Sequence, residues 1–294
     1  MPSRRSRLTP TPSLGFDAIG TRWQIDSADP LGAPLEAAVR ARVEEFDLAW
    51  SRFRNDSLVH RISVSSGSFE LSHDAPAILD LYRTLYECTD GAMTPLVGGA
   101  LEQWGYDSAY SLRPSGDISP VPRWEDAISW DGRSLHTARP VTLDIGAAGK
   151  GYLVDLVADV LVGGGVTALT IDASGDLLHR GGRPLRVALE HPLDPSKAVG
   201  VALLGDGALC ASASNRRAWP GAHHLIDALT GAPTRRVIAT WVTASSCLVA
   251  DGLATALFFG EPERLAREFD FEWVRMLQGG SLEQSPAFDG EIFA

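Results

Sequence analysis

The sequence has few of the residues and runs that define several classes of protein. Its only three cysteines, Cys88, Cys210 and Cys247, form no C-x-x-C pair and have no histidine at metal-ligand spacing. We expect them to be buried free thiols in a reducing compartment. No segment reaches the roughly 18 consecutive apolar residues that a membrane-spanning helix needs. We therefore expect no membrane insertion.

Positive charge is also scarce. The chain has 26 Lys and Arg against 37 Asp and Glu, which gives a formal net charge of −11, and no local basic patch offsets it. Such a surface repels a polyanion, so nucleic acid is not an expected partner. Residues 1–13 contain three arginines, but threonines and prolines interrupt the apolar stretch that a secretion signal requires. We expect this segment to be a disordered basic tail and the protein to be cytoplasmic.

Common catalytic signatures are missing as well. The sequence contains no G-x-S-x-G motif, no S-x-x-K motif and no catalytic cysteine signature. The glycine-rich segment 146–151 is not a P-loop, because Asp144 stands where the first glycine should be and Gly151 replaces the Ser or Thr that holds magnesium. These absences weaken the ordinary hydrolase and NTPase interpretations.

The residues that are abundant predict a globular α+β protein. Apolar residues make up 45% of the 294 residues, enough for a substantial core. Strand and helix patterns alternate without a regular βαβ rhythm, which favours mainly antiparallel sheets with packed helices. We expect a bent strand over 16–26, a hairpin-rich insertion over 113–140, and a single domain over 14–294. The spacing of apolar residues predicts helices over 34–50, 74–88, 153–162 and 247–259.

Three short segments contain candidate site residues. In the first, Gly146 to Gly151, a glycine-rich turn with Lys150 precedes a predicted helix. Free N–H groups and the positive end of the helix dipole at that point, together with the lysine, suit a bound phosphate. The same glycines suit a tight packing turn, and the residues alone leave both interpretations open.

The second segment is VADGLATALFF, residues 249–259. Asp251 and Thr255 are four residues apart on a predicted helix, so they share one face. A carboxylate and a hydroxyl are hard oxygen ligands that suit Mg²⁺. An Asp near the start of a helix is also a common cap or dipole-compensating charge, and this alternative stays open.

The third segment is GAHHLIDALTGAP, residues 221–233. Histidine is the usual general base near neutral pH, and a neighbouring carboxylate such as that of Asp227 can fix its tautomer. In an extended segment His223 and His224 point to opposite sides, so at most one of them faces a given site. A histidine with a purely structural role is the alternative.

Seven segments in a fixed order give the chain a resemblance to a known family. They are FDAIGTRW, SRFRNDSLVHRIS, TDGAMTPLVGGALEQWGYD, LDIGAAGKGYLVD, LTIDASGDLLHRG, HLIDALTGAP and ADGLATALFFG. In these segments the chain resembles the ApbE family of FAD:protein FMN transferases. The resemblance implies a T-fold-like α+β architecture, with Mg²⁺ as the cofactor and FAD as the substrate. It also implies transfer of FMN to a Thr or Ser hydroxyl of an acceptor flavoprotein, with release of AMP.

The resemblance further implies roles for individual residues. Asp251, Thr255 and the carbonyl of Ala147 match the magnesium ligands of the family. His224, oriented by Asp227, is then the candidate base for the acceptor hydroxyl. The positions that match contacts to FAD are Ala92, Met93, Thr94, Asp144, Lys150 and Leu225.

The chain departs from the family pattern at Met93-Thr94, where many members have Phe-Asp, and at Ser174-Gly175-Asp176, where the usual tripeptide is Gly-Gly-Asp. Two alternative functions stay open from the sequence. One is a magnesium-dependent FAD pyrophosphatase that yields FMN and AMP. The other is a non-catalytic protein that binds FAD.

Overall fold

The computed structural model describes residues 13–116, 118–215, 218–219 and 222–293. The predicted basic tail, residues 1–13, lies outside the described residues except for Ser13, which begins the first strand. In chain order the helices are α1 (Ala33–Trp50), α2 (Leu58–Val64), α3 (Ala75–Cys88), α4 (Gly98–Gln103), α5 (Trp124–Ala127), α6 (Gly149–Gly163), α7 (Cys247–Ala256) and α8 (Pro262–Leu265), with a 3-10 turn at Pro95–Val97.

The four helices predicted from apolar spacing are confirmed as α1, α3, α6 and α7. Helix α6 begins earlier than its apolar pattern indicates, at Gly149, whose N–H donates to the carbonyl of Ile145 at 2.7 Å. Helix α7 ends at Ala256, and the carbonyl of Ala256 accepts from the N–H of Gly260 at 2.8 Å. The glycine-rich segment therefore supplies the first turn of α6 itself.

The strands are β1 (Ser13–Ala18), β2 (Thr21–Ser27), β3 (Gly67–Glu70), β4 (Ile128–Trp130), β5 (Ser134–Thr137), β6 (Leu169–Asp172), β7 (Asp176–Arg180), β8 (Leu185–His191), β9 (Asp194–Leu204), β10 (Gly207–Ala213), β11 (Ala218–Trp219), β12 (Ala222–His223), β13 (Ile226–Asp227), β14 (Ala232–Pro233), β15 (Val237–Ala244), β16 (Glu272–Leu277), β17 (Leu282–Gln284) and β18 (Gly290–Ile292).

The strands form one large sheet of order β1-β2-β6-β7-β10-β15-β16-β17 and smaller sheets β18-β9-β8, β3-β5-β4, β11-β12 and β13-β14. Within the described part of the chain all the pairings are antiparallel. The predicted α+β class with antiparallel sheets and packed helices is confirmed.

One predicted strand is wrong in detail. Residues 16–26 do not form a single bent strand but parts of the hairpin β1–β2, in which Phe16 pairs with Trp23. The chain reverses at Ile19 and Gly20, whose φ angles are +44° and +76°. Because Gly20 takes a positive φ without strain, it makes a turn rather than a bend. The hairpin-rich insertion is borne out in part by β4 and β5, which pair with each other.

Two central helices hold the main core together. Helices α6 and α7 pack against each other, α7 lies on β10 and β15, and α1 covers α6. A second apolar cluster fills the space between β8–β9 and strands β10, β15 and β16 of the large sheet. The hydroxyl of Thr240 on β15 donates to the carbonyl of Ala254 on α7 at 2.6 Å, which fixes that helix on the sheet.

Cys88, Cys210 and Cys247 are all free and buried, as predicted. In the part of the chain that the structure covers, the helices are too short or too polar to span a bilayer.

Candidate active site

A cavity of about 1290 Å³ lies beside the start of α6, the buried side of α7 and the large sheet. It brings together most of the residues predicted for the site, from four separate parts of the chain. The predicted residues that line it are Met93, Thr94, Asp144, Ala147, Lys150, His224, Leu225, Asp251 and Thr255. Of the predicted residues, Ala92 and Asp227 are not part of the lining.

The glycine-rich turn before α6 is shaped by its own hydrogen bonds. The N–H of Asp144 donates to the carbonyl of Pro95 at 2.7 Å, and its carboxylate Oδ1 accepts from the N–H of Gly146 at 2.7 Å. Gly151 is needed for packing, because a Cβ there would lie 2.3 Å from the carbonyl oxygen of Cys247. The two interpretations of these glycines are therefore compatible: the segment is a packing turn, and it also lines the cavity.

A buried charge cluster lies at the base of the cavity. The ammonium of Lys150 pairs with the carboxylate of Asp176, the first residue of β7, which is fully buried. Asp251 of α7 is also buried, and its Oδ2 accepts from the N–H of Gly151 at 2.9 Å. The site thus places two carboxylates around one lysine.

The electrostatics of this cluster follow from burial and proximity. Burial lowers the pKa of Lys150, but the carboxylates of Asp176 and Asp251 more than offset this, so the pKa is raised and the lysine stays protonated. Burial and then the nearby Asp176 raise the pKa of Asp251 well above its ordinary value, although Lys150 and the Gly151 N–H act against this rise. A cation placed beside Asp251 would therefore stabilise its ionised form.

Hard oxygen atoms converge next to this cluster. Asp251 and Thr255 both lie on the buried face of α7, each about 6% exposed. The Thr255 hydroxyl lies 3.3 Å from the carbonyl oxygen of Ala147, to which it donates. Within the described ranges no group of three or more His, Cys, Asp or Glu side chains could hold a metal. One carboxylate, one hydroxyl and one carbonyl still fit Mg²⁺, which binds few protein oxygens and keeps water and phosphate as its other ligands.

Arg52 lines the cavity but is not among the residues predicted from the sequence. Arg52 comes just after α1 in the chain, and its side chain is only 2% exposed. Its Nε donates to the Asp144 carboxylate at 2.5 Å. Its guanidinium also lies over the rings of Phe53 and Tyr106, at 4.2 and 4.9 Å from the ring centroids. A planar guanidinium suits such stacking, so Arg52 fixes the positions of both the Asp144 carboxylate and these two rings.

The aromatic wall consists of Phe53, Tyr106, Tyr110 and Trp219, all of which line the cavity. Phe53 stacks on Tyr110 with centroids 5.4 Å apart and an interplanar angle of 4°, and Tyr106 stacks on Trp219 at 6.0 Å and 15°. Flat rings held in this way offer a surface on which a planar heterocycle can stack.

The two adjacent histidines have different environments. His224 lines the cavity, whereas His223 faces away: its Nε2 is 2.7 Å from the carbonyl of Thr234, and its Nδ1 accepts from the N–H of Leu225 at 3.2 Å. These contacts fix His223 as the Nε2–H tautomer, and burial lowers its pKa. As expected for adjacent residues in an extended segment, only one of the pair, His224, lines the cavity.

Asp227 is engaged elsewhere. Its Oδ1 accepts from the N–H of Leu229 at 2.8 Å, and its carbonyl accepts from the N–H of Gly231 at 2.8 Å. These bonds stabilise the turn that follows β13, so the predicted role of Asp227 in orienting His224 stays a prediction.

The segment Ala92-Met93-Thr94 forms part of the cavity at its second and third residues. The Thr94 hydroxyl accepts from the N–H of Leu96 at 3.2 Å and so caps the 3-10 turn. The N–H of Met93 donates to the Thr89 hydroxyl at 3.0 Å, and the carbonyl of Ala92 accepts from the N–H of Ala228 at 3.0 Å. Ala92 therefore joins this segment to the histidine segment without lining the cavity.

Asp176 and Arg52, two charged residues of the site that were not predicted, both lie in segments that carry the family resemblance. Asp176 ends the tripeptide Ser174-Gly175-Asp176, one of the places where the family resemblance draws attention to the chain. Arg52 lies in the segment SRFRNDSLVHRIS. Neither has a local partner, because Asp144 is 92 positions from Arg52 and Asp176 is on a different element from Lys150.

The fold and this cavity define an α+β protein with a buried acidic and lysine cluster facing an aromatic wall. The family model for the ApbE family matches residues 19–272. The chain belongs to the ApbE family.

Individual relatives agree with this assignment. The chain is 29% identical to the FAD:protein FMN transferase of Vibrio cholerae serotype O1, with 85% of this chain and 82% of the relative covered. It is 28% identical to the FAD:protein FMN transferase of Rhodobacter capsulatus, with 84% of this chain and 48% of the relative covered. The chain thus spans about half the length of that second relative.

The crystal structure of the ApbE protein from Thermotoga maritima has the same fold. It superposes with a TM-score of 0.81 at 22% sequence identity, with 94% of this chain and 97% of that one covered.

Proposed function

We propose that this protein transfers FMN from FAD to a Thr or Ser hydroxyl of an acceptor flavoprotein and releases AMP, in a reaction that depends on Mg²⁺. The observation that carries the proposal is the convergence of Asp251, Thr255 and the Ala147 carbonyl with Lys150 in one cavity. Family membership supports the flavin substrate, since curated relatives are named FAD:protein FMN transferases.

The cavity suits a dinucleotide in size and in chemistry. Its volume of about 1290 Å³ exceeds the roughly 300–1,000 Å³ of common small-molecule pockets. The stacked rings of Phe53, Tyr106, Tyr110 and Trp219 suit a planar ring system, and Lys150 at the start of α6 suits a pyrophosphate. FAD has both groups, which supports the roles proposed for Met93, Thr94, Asp144 and Leu225 in lining the nucleotide site.

The reaction needs positive charge beside the pyrophosphate oxygens and a base for the proton of the acceptor hydroxyl. The acceptor oxygen attacks the phosphorus on the FMN side, the bond from that phosphorus to the oxygen shared with the AMP phosphate breaks, and AMP leaves with that oxygen. Asp251, Thr255 and the Ala147 carbonyl would hold Mg²⁺, which when bound neutralises charge on the pyrophosphate oxygens. Lys150, kept protonated by Asp176, adds positive charge at the same place.

His224 is the proposed base. It lines the cavity while its neighbour His223 is held by Thr234. Removal of the acceptor proton by a positioned base contributes about 10²–10⁴ to a rate. The product is then a phosphoester bond between FMN and the acceptor side chain, with the proton on His224.

The direct test combines purified protein, FAD, Mg²⁺ and a peptide carrying a family-type acceptor threonine. We expect an FMN adduct on the peptide by mass spectrometry and an equal amount of AMP by chromatography. AMP and FMN formed at the same rate without the peptide would establish the pyrophosphatase instead. FAD binding without AMP in any reaction would establish the non-catalytic alternative.

Two variants sharpen this test at the proposed metal site. Thr255→Val removes a ligand hydroxyl without changing side-chain size, whereas Thr255→Ser retains it. We expect the valine variant to need far more Mg²⁺ for half-maximal FAD binding and the serine variant to resemble the wild type. Equal Mg²⁺ requirements for all three proteins would remove Thr255 from the proposed ligand set.

Two broader proposals accompany this function. We propose that residues 14–294 work as one domain, since the cavity is lined by residues from the β1–β2 turn through to Thr255 and Phe259. We also propose a cytoplasmic location, which the three buried free thiols support. Cell fractionation with detection of the native protein tests the location.

A further inference from the structure

Tyr82 is a buried tyrosine with an unsatisfied hydroxyl in the wall of the cavity. It lies on α3, is 1% exposed and lines the same cavity as Asp251 and Thr255. Among the described residues its hydroxyl proton has no hydrogen-bond acceptor. Buried polar groups are nearly always paired in native proteins, so an unpaired one in a cavity wall indicates a partner supplied by a ligand.

The surroundings of this hydroxyl are those of the proposed reaction site. Burial is the main reason why its pKa is well above the ordinary value, and the carboxylates of Asp144 and Asp251 raise it further. The backbone N–H groups of Ala147 and Ala148 approach the phenol oxygen as weak donors and lower the pKa, so it is the hydroxyl proton that lacks a partner. The hydroxyl therefore stays protonated, lies near the proposed magnesium ligands, and has its proton available for donation.

Two other side chains in the same cavity wall also have buried donor groups that make no hydrogen bond. The indole Nε1 of Trp50 and the terminal nitrogens of Arg52 are buried and make no hydrogen bond in the described part of the chain, and the Glu102 carboxylate lies 3.9 Å from one of the Arg52 nitrogens. Both side chains line the cavity. Tyr82 on α3, Trp50 on α1 and Arg52 just after α1 thus line one cavity with donors that make no hydrogen bond within the described part of the protein, a pattern that suits a ligand rich in oxygen acceptors.

We propose that the Tyr82 hydroxyl donates a hydrogen bond to an oxygen of the metal and pyrophosphate unit of the bound nucleotide. That oxygen belongs either to a phosphate or to a water molecule on the metal, and both have the same acceptor chemistry. The assignment rests on the proposed function, because it requires a nucleotide pyrophosphate beside Asp251 and Ala147. Tyr82 then contributes to nucleotide binding, a role that its core position in α3 conceals.

Tyr82→Phe is the decisive variant, since it removes only the hydroxyl. We expect its affinity for FAD in the presence of Mg²⁺, measured by titration calorimetry, to fall by about 10- to 100-fold, as for loss of a hydrogen bond to a charged group. We expect the ligand-free variant to unfold at the same temperature as the wild type or a higher one, because the buried hydroxyl donates no hydrogen bond in the ligand-free protein. The rise in unfolding temperature caused by FAD should shrink.

Tyr152→Phe is the matched control. Tyr152 is also buried, but its hydroxyl donates to the carbonyl of Asp74 at 2.9 Å and it does not line the cavity. This variant should unfold at a lower temperature with and without ligand and should bind FAD like the wild type. A Tyr82→Phe protein that binds FAD as tightly as the wild type would overturn the assignment.

Two further titrations identify the acceptor. Weaker binding of FAD in the presence of a chelator assigns the hydrogen bond to a phosphate oxygen, and weaker binding of Mg²⁺ alone assigns it to water on the metal. If the wild type binds FAD normally and Tyr82→Phe is unchanged in every titration, only the Tyr82 assignment fails. If the wild type does not bind FAD at all, the proposed function fails.

Discussion

The N–H of Gly151 donates to the carboxylate Oδ2 of Asp251 at 2.9 Å across one hundred residues of sequence. This bond joins the first turn of α6 to the middle of α7 at the point where the two helices touch. The position of Asp251 therefore depends on how closely the backbone of residue 151 approaches α7.

Gly151→Ala should damage both the core and the site. An added Cβ would lie 2.3 Å from the carbonyl oxygen of Cys247 and 2.6 Å from the Cβ of Asp251, so the helices must separate. We expect a loss of about 1–3 kcal/mol in the free energy of unfolding, as for other overpacked sites, and a large loss of FAD affinity. Gly163→Ala, at the other end of α6, is the control because its added Cβ has open space. Denaturant titration that shows equal stability for the two variants would contradict the close contact.

Substitution of His224 should mainly lower the reaction rate, whereas substitution of His223 should mainly lower stability. His224→Asn should lower kcat by about 10²–10⁴ if His224 is the base, with little change in the free energy of unfolding. His223→Asn should keep most of its kcat but lose about 1 kcal/mol of stability, because the bond to the carbonyl of Thr234 is disturbed. Single-turnover rates and denaturant titrations of both variants measure the two effects. A larger rate loss in His223→Asn would reverse the assignment.

Asp176 should be needed for stability and for Mg²⁺ binding, although it is not one of the predicted magnesium ligands. Asp176→Asn leaves the buried Lys150 ammonium with Asp251 as its nearest carboxylate. We expect a loss of about 3–5 kcal/mol in stability, typical of breaking a buried ion pair, and a higher Mg²⁺ requirement, because Lys150 then competes for Asp251. The double variant Lys150→Met with Asp176→Leu should recover stability without recovering FAD binding. Recovery of both would show that the pair is only structural.

Local patterns and long-range contacts differ in how well the sequence predicts them. The spacing of Asp251 and Thr255 predicted one shared helix face because the 3.6-residue period is a local property. The pairs Lys150–Asp176 and Arg52–Asp144 depend on which elements the tertiary fold brings together, and no local pattern encodes that. Tyr82 fits the apolar spacing of α3 and therefore looks like an ordinary core residue. Only the three-dimensional structure shows that Tyr82 lines the cavity and that, among the described residues, its hydroxyl proton has no acceptor.

Asp155 should make stability depend on pH in a direction opposite to that of a typical paired carboxylate. It lies on α6 and accepts from the N–H groups of Cys247 and Leu248 at 3.0 and 2.8 Å, which holds the start of α7. Burial raises its pKa from 3.8 to about 6, although those two amides oppose the rise.

The folded protein therefore binds the Asp155 proton more tightly than the unfolded chain does. The contribution of Asp155 to stability is then greatest below about pH 4 and falls as the pH rises from about 4 to about 6. Asp155→Asn cannot ionise and keeps one oxygen acceptor for the start of α7. The wild-type free energy of unfolding, relative to that of Asp155→Asn, should fall by about 1–3 kcal/mol across this range, since one pKa unit corresponds to about 1.4 kcal/mol. Denaturant titrations at half-unit pH intervals measure this difference. Parallel profiles for the two proteins would show that the Asp155 carboxyl titrates alike in the folded and unfolded states.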